Sequence, residues 1–147
     1  MATNQLDLWP TMTATATTRD TPVSILREQA ALLEKKTNGV VIADVEMRSS
    51  AAPGVLSAAL STGMTGERAR DAIAYSFYLI APALENYRYL LFWMFQPIEM
   101  YPLFIRDSPE GDIKVESENE FVEALRRIFG SEKTQSVVQA IIAQSNS

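Results

Sequence analysis

At 147 residues and 16.3 kDa, with 47% hydrophobic residues, the chain has material for one sizeable core and too little for two comfortable domains. Its 13 basic and 18 acidic residues leave a net charge of -5, which repels phosphate backbones and anionic lipid, so no nucleic-acid partner is expected. The absence of cysteine and histidine excludes disulfides, thiolate nucleophiles, cysteine-ligated metal sites and the Ser-His-Asp machinery; no catalytic residue, metal site or cofactor is assigned.

No uncharged run in the apolar centre of the chain approaches the roughly 18 to 20 residues of a spanning helix, so no membrane partner is expected. The start lacks the basic residues and apolar block of a secretion signal, and a cytoplasmic protein is the expectation.

Residues 1–20 are rich in Thr and Ala and offer only Leu6, Leu8, Trp9 and Met12 as large apolar groups. Such a segment cannot offset its own ordering entropy, so it reads as a flexible tail ahead of a single domain over 21–147. Its LDLWP patch, Leu6 to Pro10, has the character of a short docking peptide. A helix follows, with Thr21 as N-cap, Pro22 at the first helical position, and Ile25, Leu26, Ala30, Leu32 and Leu33 as the apolar stripe. Lys35 and Lys36 suit the negative end of its dipole, and Asn38-Gly39 can take the positive φ that closes it.

Val41, Ala43, Val45 and Met47 alternate with Asp44, Glu46 and Arg48, the pattern of a half-buried strand. Residues 50–72 are small and interrupted by Pro53, Gly54, Gly63 and Gly66. They read as a mobile insertion with a helical turn near Val55 to Leu60 and a helix start near Thr65.

The stretch Ile73 to Arg106 holds ten of the thirteen aromatic residues and reads as the centre of the sheet. An even loop at Leu84 to Tyr87 would set Phe77 opposite Met94 and Leu79 opposite Phe92, and a second even loop at Pro97 to Met100 would set Leu103 beside Met94 and Ile105 beside Phe92. Ile73, Tyr75, Phe77, Leu79, Leu90, Phe92, Met94, Leu103 and Ile105 then share one face. A five-residue loop, Asp107 to Gly111, would keep Ile113 and Val115 on it. Two helices end the chain: one capped by Ser117 and Glu120, with Phe121, Val122, Leu125, Ile128 and Phe129 on one side, and one capped by Ser131, with Val137, Val138, Ile141 and Ile142. The fold class expected is therefore α+β: an antiparallel meander of about five strands, one N-terminal helix and two C-terminal helices, the helices mainly on one face.

The same register sends Tyr78, Ile80, Tyr89, Leu91, Trp93, Phe95 and Phe104 to the opposite face, more apolar surface than a soluble monomer exposes. Three coverings remain open: another segment of the chain, a protein partner or second copy, or a small molecule. The turn residues Glu85 and Arg88, with Tyr78, are the polar groups a ligand pocket would use, although Glu85 to Arg88 also reads as a plain hairpin turn. Gly66 to Asp71 lacks the Lys-Ser/Thr of a phosphate loop, and the acidic run from Asp107 to Glu120 lacks the spacing of a calcium loop. The leading expectation is a small acidic non-catalytic binding protein of accessory, chaperone-like or immunity type, acting through a protein partner or self-association as a homodimer. The alternative is a ligand-sensing or enzymatic domain with a pocket between the sheet and residues 50–72.

Overall fold

The computed structural model describes residues 6–11, 20–108 and 111–147. The tail expectation for residues 1–5 and 12–19 lies outside the described residues, as do residues 109–110 of the loop expected at Asp107 to Gly111, whose other members belong to strands; Leu6, Leu8 and Trp9 are exposed.

Five strands form one antiparallel meander in chain order: β1 (Ile42–Ser49), β2 (Ile73–Ala81), β3 (Tyr87–Gln96), β4 (Leu103–Ser108) and β5 (Gly111–Val115). Helix α1 (Pro22–Lys36) precedes the sheet, α2 (Val55–Ser61) and α3 (Gly66–Arg70) lie between β1 and β2, and α4 (Glu118–Phe129) and α5 (Glu132–Ser145) close the chain. Local chemistry sets the boundaries. The Thr21 hydroxyl accepts from the Ser24 N–H at 3.1 Å while the Ser24 hydroxyl accepts from the Thr21 N–H at 2.9 Å, a reciprocal cap, and Asn38 and Gly39 leave the helix at φ 53° and 79°. The Ser117 and Ser131 hydroxyls accept from the N–H groups of Glu120 and Thr134, both at 3.2 Å, which starts α4 and α5 as their sequences imply.

Helices α1, α4 and α5 pack on one face of the sheet. There Phe77 and Phe92 stack at 5.2 Å between centroids, and Phe129 of α4 tilts against both. Leu26, Val41, Leu79, Met94, Leu103, Ile105, Val115 and Phe121 complete the buried set. Val122, expected on the core side of α4, is exposed instead; Ala124 fills that stripe.

The register departs from expectation in an instructive way. Strand β2 is joined to β3 by five residues, a 3-10 turn at Pro82–Leu84 followed by Glu85 and Asn86 at φ 56° and 58°, so Ala81 pairs with Tyr87 and Leu79 with Tyr89. An odd loop reverses the faces of the first residues of β3. A bulge then inserts Leu91 between the pairs Tyr78–Leu90 and Phe77–Phe92 and restores them. Tyr89 and Leu91 therefore face the α1–α4–α5 core, and Leu90 faces the other way, opposite to the expectation for all three. Phe77 pairs with Phe92 rather than Met94, and Met94 with Ile105 rather than Leu103; both slips are by two residues, so the remaining faces stand. Ile113 and Val115 keep the core face through a register shift between Ile105 and Ser108.

Candidate functional site

Successive rows across the second sheet face read Ile42, Ile80, Arg88; then Asp44, Tyr78, Leu90; then Glu46, Ser76, Trp93, Arg106; then Arg48, Ala74, Phe95, Phe104, Lys114. Residues 50–72 fold over the last of these rows. Val55, Ala59, Met64, Ala69 and Ala72 pack with Ala74, Phe95 and Phe104 into a second apolar cluster, closed at its base where the Ser50 hydroxyl donates to the Arg70 carbonyl. Small side chains along α2 and α3 let two short helices lie flat on the sheet, which is why this segment looked like an insertion in composition alone.

The covering stops midway. Phe95 is 3% exposed beneath α2, while Trp93, two residues earlier on the same strand and 6.3 Å away between ring centroids, is 38% exposed. Tyr78 is partly exposed, with the Arg88 guanidinium 4.1 Å from its ring centroid. From there Arg88 reaches across to β1, meeting Glu46 at 2.9 Å and Asp44 at 3.4 Å. Its pKa is held above the ordinary arginine value, first by the hydrogen bond to Glu46, so the guanidinium is a permanent positive charge over the ring. On the other side of Trp93, Arg106 makes a two-point bond to Asp112 at 2.7 and 3.1 Å and donates to the Ser61 hydroxyl at 2.8 Å, tying α2 to the sheet. Hydrogen bonding to Asp112 raises its pKa as well.

A cleft of about 220 Å³ opens at the boundary, lined by Arg48, Val55, Ala58, Ser76, Tyr78 and Trp93 among others. A larger one of about 380 Å³ lies on the opposite side of the sheet between α1 and α5, lined by Leu33, Lys36, Phe77, Leu79, Leu91 and Val138 among others.

Of the seven side chains expected on this face, Tyr78, Ile80 and Trp93 remain together and accessible, and Leu90 joins them. Phe95 and Phe104 lie under the chain's own helices, and Tyr89 and Leu91 belong to the other face. Of the polar trio, Tyr78 lines the small cleft; Arg88 lies over its ring, and Glu85 stays exposed in the hairpin turn. Arg48 and Arg106 stand at even-numbered positions of β1 and β4 that face the same side as Trp93, a placement alternation alone implies; the bond from Arg106 to Asp112 of β5 is visible in the tertiary structure only. Among the described residues no group of three acidic side chains gathers as a metal site, and no helix is long and apolar enough to cross a membrane.

Comparison with protein-family models, curated proteins and solved structures finds no match to this chain.

Proposed function

We propose that this is a non-catalytic binding protein that docks a protein partner on the uncovered half of the second sheet face. The observation that carries it is Trp93: a large aromatic side chain, over a third exposed, at the middle of a five-stranded sheet and next to a row whose central members, Ala74, Phe95 and Phe104, are buried. Trp and Tyr anchors ringed by charged groups are the usual composition of an interface hot spot. Here Trp93, Tyr78 and Ile80 supply the anchors, and Arg48, Glu46, Arg88 and Arg106 supply the ring.

A ligand-sensing role for the cleft between the sheet and α2 is the second reading, supported by the polar side chains of Arg48, Ser76 and Tyr78 among its lining residues. Its volume of about 220 Å³ is below the roughly 300–1,000 Å³ of pockets that hold drug-sized molecules, which favours the protein partner.

The test is affinity capture from the source cells with wild-type bait and with Trp93→Ala, a substitution at an accessible site. The expected result is a partner retained by wild type and weakened at least about tenfold by W93A, with the melting temperature only modestly lowered. A partner held equally by both proteins, or a melting-point shift with nucleotides or acyl compounds that W93A abolishes while no partner is captured, refutes the docking role.

A further inference from the structure

We infer that the outer edge of β1 pairs antiparallel with β1 of a second copy of this chain, about a two-fold axis at Met47. This goes beyond the Trp93 reading and does not depend on it.

The starting point is an unpaired edge. Among the described residues β1 pairs with β2 alone, no side chain bonds the backbone of its eight residues, and beyond the β2 ladder the one group engaged is the carbonyl of its last residue, Ser49, which accepts from the Ala52 N–H at 3.0 Å. A strand of that length with free N–H and C=O groups is a template for another strand unless something blunts it. Strand β5, the opposite edge, is blunted: it has five residues, starts at a glycine and is offset by a register shift. Strand β1 has no proline, glycine or bulge. The last apolar side chain on its core side, Met47, is 61% exposed.

Charges on an edge strand usually prevent pairing, so their order decides the question. A two-fold axis perpendicular to the sheet keeps each face continuous, which restricts partners to positions of the same parity. Centred on Asp44, that residue opposes itself; centred on Val45, Asp44 opposes Glu46 twice; centred on Glu46, the carboxylate opposes its own copy. Centred on Met47, Glu46 opposes Arg48 twice, Asp44 opposes Ser50, and Met47 meets Met47. Among the registers that pair five or more of the eight strand residues, this one is free of like-charge contacts, and like charges directly opposite are destabilising. Arg48 has no carboxylate within ion-pair distance among the described residues, so Glu46 of the second copy gives it one. The product is a ten-stranded sheet with both Trp93 sites on one side of it, a bivalent surface.

The measurement is the mass in solution of the full chain by light scattering across a hundredfold concentration range, for wild type, E46R, R48E and an equimolar mixture of the two variants. Wild type should dimerise; each variant alone places like charges opposite twice and should weaken the dimer about tenfold or more. The mixture should recover it, because the E46R strand complements the R48E strand. Since E46R also removes a partner of Arg88, a second readout avoids reliance on its folding: the chain has no cysteine, so Met47→Cys introduces a unique thiol. Facing residues of an antiparallel pair have Cα atoms about 4.5–5.5 Å apart, within disulfide reach, whereas two Ser49→Cys thiols would lie two residues out of register on each side. With diamide as oxidant, M47C should give a covalent dimer and S49C should not. A wild-type monomer at all concentrations, equal cross-linking of M47C and S49C, or a dimer abolished by W93A and indifferent to both charge reversals overturns the inference. Those results leave partner capture at Trp93 to be judged by its own experiment.

Discussion

Phe95→Ala and Trp93→Ala make a matched pair, because the two side chains sit on the same strand and the same face and differ only in what lies above them. Phe95 belongs to the cluster that also holds Val55, Ala59, Met64 and Phe104, only 3–9% exposed at its aromatic members. Removing a fully buried phenyl ring costs about 3–5 kcal/mol through lost transfer energy and the cavity left behind. Two short helices can settle partway into the gap, so about 3 kcal/mol is expected for F95A, equivalent to a fall in Tm of roughly 10 °C for a domain of this size. Trp93 already has 38% of its surface in water and loses chiefly its edge contact with Phe95 and its packing on the sheet; about 1–1.5 kcal/mol is expected for W93A. Urea unfolding followed by far-UV circular dichroism measures both without relying on tryptophan emission. Equal losses for the two variants, or a larger loss for W93A, would mean that α2 and α3 do not cover Phe95, and the division of this face into a sealed half and an open half would fail.

Two further outcomes follow from individual contacts. Arg106→Met should cost about 1–3 kcal/mol, more than an exposed ion pair, because it leaves the half-buried Asp112 carboxylate unpaired and frees Ser61 of α2; the double variant Arg106→Met, Asp112→Leu should recover part of that loss in the same urea titration. Burial raises the Tyr75 phenol above its ordinary pKa of 10.0, against a smaller opposing effect of Arg27. The unfolded chain then releases that proton first as pH rises, so this contribution is complete below about pH 10 and is lost above it. Tyr75→Phe should flatten the decline of Tm between about pH 9.5 and 11 relative to wild type, and an unchanged slope would contradict a native phenol that resists ionisation.

Parity explains why the meander was readable and its details were not. Side chains alternate with period two, so errors of two residues in pairing, such as Phe77 with Phe92 instead of Met94, leave every face unchanged. An error of one does not. The left-handed pair Glu85-Asn86 makes the β2–β3 connection odd, and the bulge at Leu91 cancels it a few residues later. Nothing in the local composition distinguishes Leu90 from Leu91, since both are leucines between large apolar neighbours. Their opposite fates are set by which one meets α5 and Phe77 across the sheet. The candidate site was legible to the extent that Tyr78, Ile80 and Trp93 lie where alternation puts them. Its boundary depends on residues 50–72, whose alanines and glycines carry too little periodic signal to reveal that they lie flat over Phe95 and Phe104.

The amino-acid sequence alone determined the element types, the capped helix starts at Thr21, Ser117 and Ser131, the meander order, and a surplus of aromatic side chains on two faces, because these follow from short-range sterics, capping and periodicity. Tertiary structure alone decided how much of that surplus stays in contact with water. The extent of cover depends on where α2 and α3 come to rest, on the ion pair from Arg88 to Glu46 and on the hydrogen bond from Arg106 to Ser61, and all of these are contacts between residues far apart in the chain.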